Sequence, residues 1–482
     1  KSPNTLIVSA FASVNNLKNI IKPMFVNEKD SSIIFVDLAD GKKRTGGSAL
    51  SQVLQTNDSE CPKVENILKF KSFFEETQNL INSKKILSYH DKSDGGLITT
   101  LIESAFAGHV GIDIYYNQDL FGLGKACDSE LDQHIKFLFN EELGVVMQIS
   151  NKFLTEVQKL YSEIGIKTYV IAKLNPEYKV TIYDARDMPF YSTSLEALHK
   201  IWHRTSYEIQ KIRDNSKTSE SEYNSIGKLN NKGLYIEKNF SDPDTNKLFS
   251  IVKTKPKVAI LREQGINGHY EMANAFSKNG FDAFDVTINS LISKENILDN
   301  FQGVVFCGGF SYGDVLGAGR GWANKILHND ILLNSFSNYF KNLDKFTLGI
   351  CNGCQTLANL KNIIPDSEHW PSFKQNNSER FESRIVMVNI EKSNSIFFSD
   401  MHDSKLPIVV SHGEGRAELS DEDYAKLKKN NQICLSYIDE NKKFTEDYPY
   451  NPNGSYKGIA GISSISGNIT LMMPHPERLL DI

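Results

Sequence analysis

A short apolar run that ends in a cysteine and passes at once into helical spacing constrains the fold of this chain more than any other feature. Residues 346–350, Phe-Thr-Leu-Gly-Ile, favour a β-strand, while Leu357 and Leu360 begin an apolar helical stripe. Cys351 therefore falls at a tight turn between strand and helix, with a glycine two residues to either side. Such a turn exposes the sulfur, and the helix N-terminus stabilises a thiolate and supplies backbone N–H groups, as a cysteine nucleophile requires.

The spacing Cys351-x-x-Cys354 also allows other interpretations. A structural zinc site needs a second pair of ligands at similar spacing. The remaining cysteines form no such pair: Cys61, Cys127, Cys307 and Cys434. A dithiol redox pair fits the spacing, but that pair usually opens the helix of a compact thioredoxin-like unit, whereas this one lies deep in a long α/β sequence. We favour a nucleophile, with a redox pair or plain packing as the alternatives.

The far end of the chain offers a base for this cysteine. Residues 468–473, Asn-Ile-Thr-Leu-Met-Met, are typical of a buried strand, and Pro-His-Pro-Glu-Arg follows directly. His475 can accept the thiol proton. Glu477, two residues further on the same side of an extended segment, can orient the imidazole ring and stabilise its charged form. The sequence therefore predicts a Cys351, His475 and Glu477 set if the fold brings the histidine to the cysteine.

These residues carry a resemblance to a known family. The pattern Gly349-x-Cys-x-Gly-x-Gln355, together with residues 474–478, resembles the class I, triad-type glutamine amidotransferases. Three longer segments, residues 261–267, 307–314 and 411–416, are similar to the phosphoribosylformylglycinamidine synthase family of purine biosynthesis. The resemblance spans nearly the whole chain, and several long motifs in the expected order are more specific than one short motif.

The resemblance implies that the cysteine, histidine and glutamate set hydrolyses glutamine. The backbone N–H groups of Gly309 and Asn352 would hold the oxyanion of the tetrahedral intermediate, and Gln355 would contribute to the glutamine site. Cys307 and Cys354 are expected to be buried core residues.

A second segment, residues 89–97, reads Tyr-His-Asp-Lys-Ser-Asp-Gly-Gly-Leu between a strand and a helix. Its glycine pair, its hydroxyl and Asp91 or Asp94 would suit a polyphosphate with Mg²⁺ at the helix N-terminus. Ser93 or Asp94 could equally be a helix cap, and the residues alone leave both interpretations open. The segment resembles the magnesium-nucleotide segment in the second half of the family's synthase domain. That resemblance implies Mg²⁺ at Asp91, ATP or ADP at Ser93, and a nucleotide held as a structural element.

Strand and helix patterns predict an α/β or α+β domain in the first part of the chain, and the βαβ alternation from residue 257 on predicts an α/β domain with a parallel sheet. We expect strands at 5–9, 32–38, 85–90, 144–149, 169–174 and 179–184, and helices near 62–82, 97–107 and 152–164. Further strands are expected at 257–261, 281–286, 304–307, 346–350 and 468–473, with a helix near 268–278.

Three segments follow from these patterns and the resemblance. Residues 1–184 would be an α/β domain like the C-terminal domain of aminoimidazole ribonucleotide (AIR) synthetase, with the nucleotide and magnesium site. Residues 185–256 would be a helix and a polar linker. Residues 257–482 would be a flavodoxin-like class I glutamine amidotransferase domain with a parallel sheet. His199 and His203, four residues apart on the helix, are expected to pack or face solvent rather than bind metal.

Composition excludes several other classes of function. A net charge of −5, without a basic patch, gives no reason to expect a nucleic acid partner. The sequence has no apolar run near the ~20 residues that cross a bilayer, and its start does not resemble a signal peptide. Six cysteines in 482 residues suit a reducing cytoplasm. We also expect the chain to be part of a longer protein, since the family's first half, with its main ATP site, has no counterpart here.

The resulting functional hypothesis is glutamine hydrolysis that supplies ammonia for the ATP-dependent conversion of formylglycinamide ribonucleotide to formylglycinamidine ribonucleotide. Glutamine, that ribonucleotide and ATP are the expected partners. The alternatives are a glutaminase that serves another nucleotide synthetase, a non-catalytic nucleotide-binding subunit, and a cysteine hydrolase or peptidase. Residues 90–97 argue against the first alternative, because a stand-alone glutaminase would lack them.

Overall fold

The structure is a computed structural model that describes residues 7–14, 16–56, 60–115, 130–184, 186–228, 233–241, 254–294 and 296–479. The chain divides into two compact units. The first comprises Lys1–Arg204 with Ile226–Leu229, and the second comprises Thr205–Ser225 with Asn230–Ile482. In the described part of the chain, no helix is both long enough and apolar enough to cross a membrane.

The first unit is a sheet with helices packed on it. Its elements are β1 (Ser31–Asp37), α1 (Ala49–Leu54), α2 (Ile67–Asn82), β2 (Ile86–Asp91), α3 (Gly96–Gly108), β3 (Gly111–Ile114), α4 (Glu130–Phe139), β4 (Gly144–Ser150), α5 (Asn151–Glu163), β5 (Lys167–Asn175), β6 (Lys179–Tyr183) and β7 (Pro189–Ser194). Among the described residues the strand order is β2-β4-β1-β5-β3-β6-β7. Neighbouring strands are antiparallel except for β3 and β6, which run parallel.

Strand β1 lies in the middle of this sheet and is buried along its whole length. Its side chains alternate between two cores, as the period of a strand requires. Ile33 and Phe35 face one core, to which α3 and α4 contribute. Ile34 and Val36 face the other, to which α2 and α5 contribute. Burial on both faces explains why this strand is an unbroken apolar run in the sequence.

The second unit holds the longer sheet. Its elements are α7 (Ser216–Ser225), β8 (Lys257–Arg262), α8 (His269–Lys278), β9 (Asp282–Thr287), α9 (Ile288–Ser293), β10 (Gly303–Phe306), α10 (Arg320–Leu327), α11 (Asp330–Lys341), β11 (Phe346–Ile350), α12 (Asn352–Asn359), β12 (Ser372–Lys374), β13 (Glu382–Ile390), β14 (Lys405–His412), β15 (Arg416–Glu418), α13 (Asp421–Lys429), β16 (Ile433–Tyr437), β17 (Ile459–Ser463) and β18 (Ile469–Met472). Helix α6 (Leu195–Arg213) begins in the first unit and ends in the second.

The longer sheet has a parallel half and an antiparallel half. Within the described ranges its order is β14-β13-β16-β17-β18-β11-β10-β8-β9. The strands from β18 to β9 run parallel, and those from β14 to β18 run antiparallel. Although β14 is at one end of this order, Val409 on it forms a bridge with His475, just beyond β18. The antiparallel half therefore curves back toward the carboxyl ends of the parallel strands.

Several elements differ from the sequence prediction. Residues 7–9 of the predicted first strand form no strand, and Ile7 and Val8 are exposed, while residues 5 and 6 lie outside the described residues. Strands β3 and β7 and helix α4 were not predicted; β3 has only four residues, and β7 is mostly exposed. Part of the expected linker is helix α7, in the second unit. Asp214, just before α7, is ion-paired with Arg380 at 3.0 Å.

Candidate active site

Cys351 occupies the turn between β11 and α12, as the sequence predicted. Its backbone has φ 52° and ψ −108°, a conformation that a non-glycine residue rarely adopts. Such strain persists only where the surrounding structure enforces it, which is common at functional sites. The side chain is 5% exposed, and its Sγ donates a hydrogen bond to the carbonyl oxygen of Ser411 at 3.5 Å.

Glycines allow the close packing around this turn. A Cβ on Gly353 would lie 1.9 Å from the carbonyl oxygen of Phe306, so only glycine lets α12 approach β10 this closely. A Cβ on Gly308 would lie 2.7 Å from Cε1 of His475 and 3.4 Å from Cβ of Cys351. The backbone at Gly308 is thus in contact with both the cysteine and the histidine.

His475 and Glu477 follow β18, the strand next to β11. Because β11 and β18 are parallel neighbours, their carboxyl ends place Cys351 and His475 at the same edge of the sheet. The Nδ1 atom of His475 and Oε1 of Glu477 are 2.5 Å apart, and these side chains are only 2% and 1% exposed. The backbone N–H of His475 donates to the carbonyl oxygen of Val409 at 2.8 Å, which fixes the main chain at this position.

The electrostatic setting of His475 favours its protonated form. Burial disfavours the charged ring, but the neighbouring Cys351 and the hydrogen-bonded Glu477 outweigh burial and raise the pKa of His475 to about 10. Its second ring nitrogen, Nε2, has no hydrogen-bonding partner among the described residues. The ring is therefore held through Nδ1, and Nε2 is left for a proton transfer.

These side chains line one cavity of about 170 Å³. Of the predicted site residues, it contacts Gly309, Cys351, Gln355 and His475; the rest of its lining is Asn267, Phe310, Asp314, Ala318, Phe381, Ser411, His412, Gly413, Glu414 and Arg478. A Cβ on Gly309, whose φ is 149°, would lie 2.6 Å from Cα of Ile266. This position therefore requires glycine.

Asn352 and Gln355 lie on the first turn of α12. The Asn352 amide nitrogen Nδ2 donates to Oδ1 of Asp314 at 2.9 Å, and Gln355 Nε2 donates to the carbonyl oxygen of Glu414. The backbone N–H of Asn352, at the start of α12, has no carbonyl partner within the helix.

Among the cavity residues that received no role from the sequence are four polar ones: Asp314, Ser411, His412 and Glu414. All four belong to the long segments 307–314 and 411–416 that carry the family resemblance. Their position in these motifs was the sequence signal that could have assigned them to the site. Their roles depend on contacts made by the fold rather than on local spacing.

The two other cysteines of this region are core residues, as expected. Burial raises the pKa of the Cys307 thiol and of the Cys354 thiol well above the usual value. Both therefore stay protonated, unlike a nucleophile or a metal ligand. Among the described residues, no group of three or more His, Cys, Asp or Glu side chains could hold a metal ion.

Asp91 and Ser93 lie at the end of β2 and in the turn that leads to α3, both exposed. The hydroxyl of Tyr89 donates to Oδ1 of Asp91 at 2.8 Å. The N-cap of α3 is Gly95, and no side chain caps that helix, so the alternative interpretation of Ser93 or Asp94 as a helix cap is wrong. The Gly95 N–H instead donates to Oε1 of Glu141 at 2.8 Å.

This arrangement limits how a magnesium nucleotide fits the first unit. Because the Glu141 carboxylate occupies the N-terminus of α3, a phosphate does not fit there as the sequence suggested. The exposed Asp91 carboxylate and Ser93 hydroxyl do fit, since Mg²⁺ is commonly held by one or two carboxylates together with nucleotide phosphates. His199, in turn, stacks on Phe106 with ring centroids 4.2 Å apart, in agreement with the expected packing role.

Comparison with known proteins assigns both parts of the chain. Residues 255–482 match the family model of the CobB/CobQ-like glutamine amidotransferase domain. Residues 30–185 match the model of the AIR synthase related protein, C-terminal domain.

Several solved structures are similar to parts of the chain. PurLQS from Thermotoga maritima is 26% identical over 47% of this chain and 92% of that chain, with a TM-score of 0.37. Thermotoga maritima PurL complexed with FGAR is 11% identical over 38% of this chain and 30% of that chain, with a TM-score of 0.30. A glutamine amidotransferase from Thermotoga maritima is 16% identical over 46% of this chain and 77% of that chain, with a TM-score of 0.28. The match thus spans less than a third of the PurL chain.

Residues 255–482 are accordingly a glutamine amidotransferase domain, and residues 30–185 are an AIR synthase-related domain. The predicted fold class, an AIR-synthetase-like α/β domain followed by an amidotransferase domain with a parallel sheet, is confirmed. The presence of both domains in this order agrees with the resemblance to the C-terminal half of the phosphoribosylformylglycinamidine synthase family that the motifs indicated.

Proposed function

We propose that the second unit hydrolyses glutamine with Cys351 as nucleophile, His475 as general base and acid, and Glu477 as the residue that orients the histidine. The single observation that carries this proposal is the convergence of three separate strand ends on one cavity. There the strained Cys351 lies beside a histidine whose Nδ1 is bonded to a buried carboxylate. This arrangement has the roles and the order of contacts of a nucleophile, base and orienting acid.

The reaction would proceed by acyl transfer. The Cys351 thiolate attacks the side-chain amide carbon of glutamine, and the carbonyl oxygen takes up negative charge. The backbone N–H groups of Gly309 and Asn352 would hold that oxyanion. Protonated His475 donates its Nε2 proton to the departing nitrogen, which leaves as ammonia. Water, with its proton taken by His475, then cleaves the thioester and releases glutamate.

We further propose that the ammonia is used to convert formylglycinamide ribonucleotide into formylglycinamidine ribonucleotide, with ATP consumed to ADP and phosphate. The support is the order of the two matched domains, which is that of the family's C-terminal half. The match spans less than a third of the PurL chain, so we assign the synthetic step to the longer protein and not to this chain alone. Asp91 would hold a Mg²⁺ ion that neutralises the phosphate charge of a bound nucleotide, and Ser93 would be a second contact. The nucleotide would serve as a structural element.

A test of the glutaminase assignment is mass-spectrometric mapping of covalent labelling by a diazo-ketone glutamine analogue. Cys351→Ala is the test variant. Cys354→Ala is the matched control, because Cys354 lies on the next helical turn and its thiol is buried. We expect label on Cys351, lost only in Cys351→Ala, and release of glutamate by the unmodified chain. Label on Cys354, or a folded chain that neither labels nor releases glutamate, would contradict the assignment.

The same experiment separates the alternatives. A non-catalytic nucleotide-binding subunit would release no glutamate, and a peptidase would not be labelled by the glutamine analogue. A glutaminase that serves another synthetase would label and turn over normally. It would fail to give formylglycinamidine ribonucleotide when the longer protein is supplied with glutamine, ATP and formylglycinamide ribonucleotide.

A further inference from the structure

A second cavity in the second unit lies between α7 and the turn from β12 to β13. Its volume is about 430 Å³, which is within the range of small-molecule sites. It shares no lining residue with the cavity of Cys351. All of its lining residues are polar: Asn215, Lys217, Thr218, Gln375, Asn376, Asn377, Glu379 and Arg416. Because no apolar side chain is present to cover a hydrophobic group, the lining favours a ligand that is polar over its whole surface.

The cavity carries more positive than negative charge. Lys217 and Arg416 line it, and Glu379 is the one acid among its lining residues. The ammonium group of Lys217 has no salt-bridge or hydrogen-bond partner in the described part of the chain. Nη1 of Arg416 is 3.7 Å from Oε1 of Glu418, and an ion pair this long neutralises little of the guanidinium charge. The cavity therefore favours an anion.

The side chains of the wall indicate what such an anion carries. Nε of Arg416 donates to the carbonyl oxygen of Gln375 at 3.1 Å, which fixes the guanidinium group at the wall. A guanidinium group matches two oxygens of a phosphate in a bidentate manner. The side-chain amides of Gln375 and Asn377 are exposed. An amide both donates and accepts hydrogen bonds, and so matches hydroxyl groups. Together these groups suit a small sugar phosphate.

Asn376 joins this polar cavity to the surroundings of Cys351. It lines the cavity and is only 2% exposed. Its Nδ2 donates to the carbonyl oxygen of His412 at 2.8 Å, and its Oδ1 accepts from the backbone N–H of Gly415 at 2.9 Å. These bonds hold the turn after β14. Ser411, at the start of that turn, accepts the hydrogen bond from Sγ of Cys351 at 3.5 Å. A ligand that restrains Asn376 therefore acts on a turn that contacts the cysteine.

We propose that this polar cavity is a regulatory site for a small sugar phosphate, with Lys217 and Arg416 on the phosphate, and that Asn376 transmits its occupancy to Cys351. The binding does not depend on the proposed function, whereas its regulatory meaning rests on that function. A ligand held against residues 375–379 restrains the turn after β14 and keeps the thiol on the Ser411 carbonyl oxygen. The bound state is therefore the state in which Cys351 is less reactive.

The test measures the binding of ribose 5-phosphate to the full chain by isothermal titration calorimetry, with ribose and inorganic phosphate as comparison ligands. The variants are Lys217→Gln and Arg416→Gln, each of which removes one positive charge from the cavity. Lys217 is exposed, so its replacement leaves the packing of the second unit intact. Lys374→Gln is the matched control, because Lys374 directly precedes residues 375–379 and does not line the cavity.

We expect ribose 5-phosphate to bind the unmodified chain and Lys374→Gln equally well. It should bind each test variant about 10-fold more weakly, because each loses a charge-assisted hydrogen bond. Ribose lacks the charge and inorganic phosphate lacks the hydroxyl groups, so both should bind more weakly than ribose 5-phosphate. No binding, or equal affinity in all four chains, would contradict the inference. Inorganic phosphate that binds as tightly as ribose 5-phosphate would contradict the assignment to a sugar phosphate.

The rate of Cys351 alkylation by iodoacetamide, followed by peptide mass spectrometry, tests the transmission. Saturating ribose 5-phosphate should slow this rate on the order of 2- to 10-fold in the unmodified chain. Half of that effect should require about 10-fold more ligand in Lys217→Gln. An unchanged or faster rate in the saturated unmodified chain would contradict the regulatory role. This measurement needs no glutamine. Failure of the proposed function is seen separately, as a chain that neither releases glutamate nor is labelled by the glutamine analogue.

Discussion

The stability of the second unit should depend on pH through one buried histidine, His412. The ring is 3% exposed, and neither of its nitrogens has a hydrogen-bonding partner among the described residues. It lies flat against Gly415, where a Cβ would be 2.1 Å from Cε1 of the ring. Burial, with a contribution from His475, lowers the pKa of His412 to about 3. His412 is therefore neutral in the folded protein.

The size of the effect follows from the two pKa values. In the unfolded chain the pKa of a histidine is near 6.5. Between this value and about pH 3, the unfolded state therefore binds a proton that His412 in the folded protein does not bind. The contribution of neutral His412 to the free energy of unfolding is complete above about pH 6.5 and is lost as the pH falls toward about 3. For one such histidine the loss in free energy of unfolding is about 2 kcal/mol at pH 5 and on the order of 5 kcal/mol below pH 3.

The assay is urea unfolding at pH 8 and pH 5, followed by tryptophan fluorescence. Trp322 and Trp370 are buried in the second unit, so in a Trp202→Phe background the signal reports on that unit alone. Comparison with His412→Gln in the same background removes the pH-dependent contribution of the carboxylates, because both proteins contain them. The protein with His412 should lose about 2 kcal/mol more than the variant between the two pH values. Equal losses in the two proteins would refute the reasoning.

Three further predictions follow from contacts of the second unit. Glu477→Gln should lower kcat for glutamine by about 10²- to 10⁴-fold with little change in KM, because the histidine loses its orienting charge; steady-state kinetics measures this. Gly353→Ala should cost about 2–4 kcal/mol in urea unfolding, because its Cβ meets a β10 carbonyl oxygen at 1.9 Å, whereas Gly413→Ala meets only an aromatic carbon at 3.9 Å and should be tolerated. Arg380→Met should cost about 2 kcal/mol by the same measurement, because the Glu382 carboxylate, 1% exposed, loses one of its two arginine partners.

The strand and helix around Cys351 could be predicted from the sequence because the signal there is local. A β-favouring run, a cysteine between glycines and a helical stripe define the turn within a few residues. The parallel neighbours β10, β11 and β18 are likewise apolar runs. Since the carboxyl ends of parallel strands share an edge, the sequence could also place His475 near Cys351 once both strands were recognised.

The remaining features depend on contacts between distant residues. Glu141 reaches the N-terminus of α3 from a position 46 residues away, so no local pattern around Gly95 predicts that a carboxylate fills the expected phosphate position. Asp314 meets the N-terminal turn of α12 across 38 residues. The strand β7 is short and exposed, and its pairing with β6 gives no strong hydrophobic alternation for a sequence pattern to detect.

The antiparallel half of the longer sheet contributes residues to the cavity in addition to the proposed nucleophile and base. The parallel strands alone supply Cys351, Gly309 and His475. The return of β14 over their carboxyl ends adds the carbonyl oxygen of Ser411, which accepts the hydrogen bond from the cysteine, and then Glu414. The proposed nucleophile and base therefore follow parallel strands, while the antiparallel half supplies another part of the cavity wall. It follows that changes in the turn after β14 can alter that wall while Cys351 and His475 keep their positions.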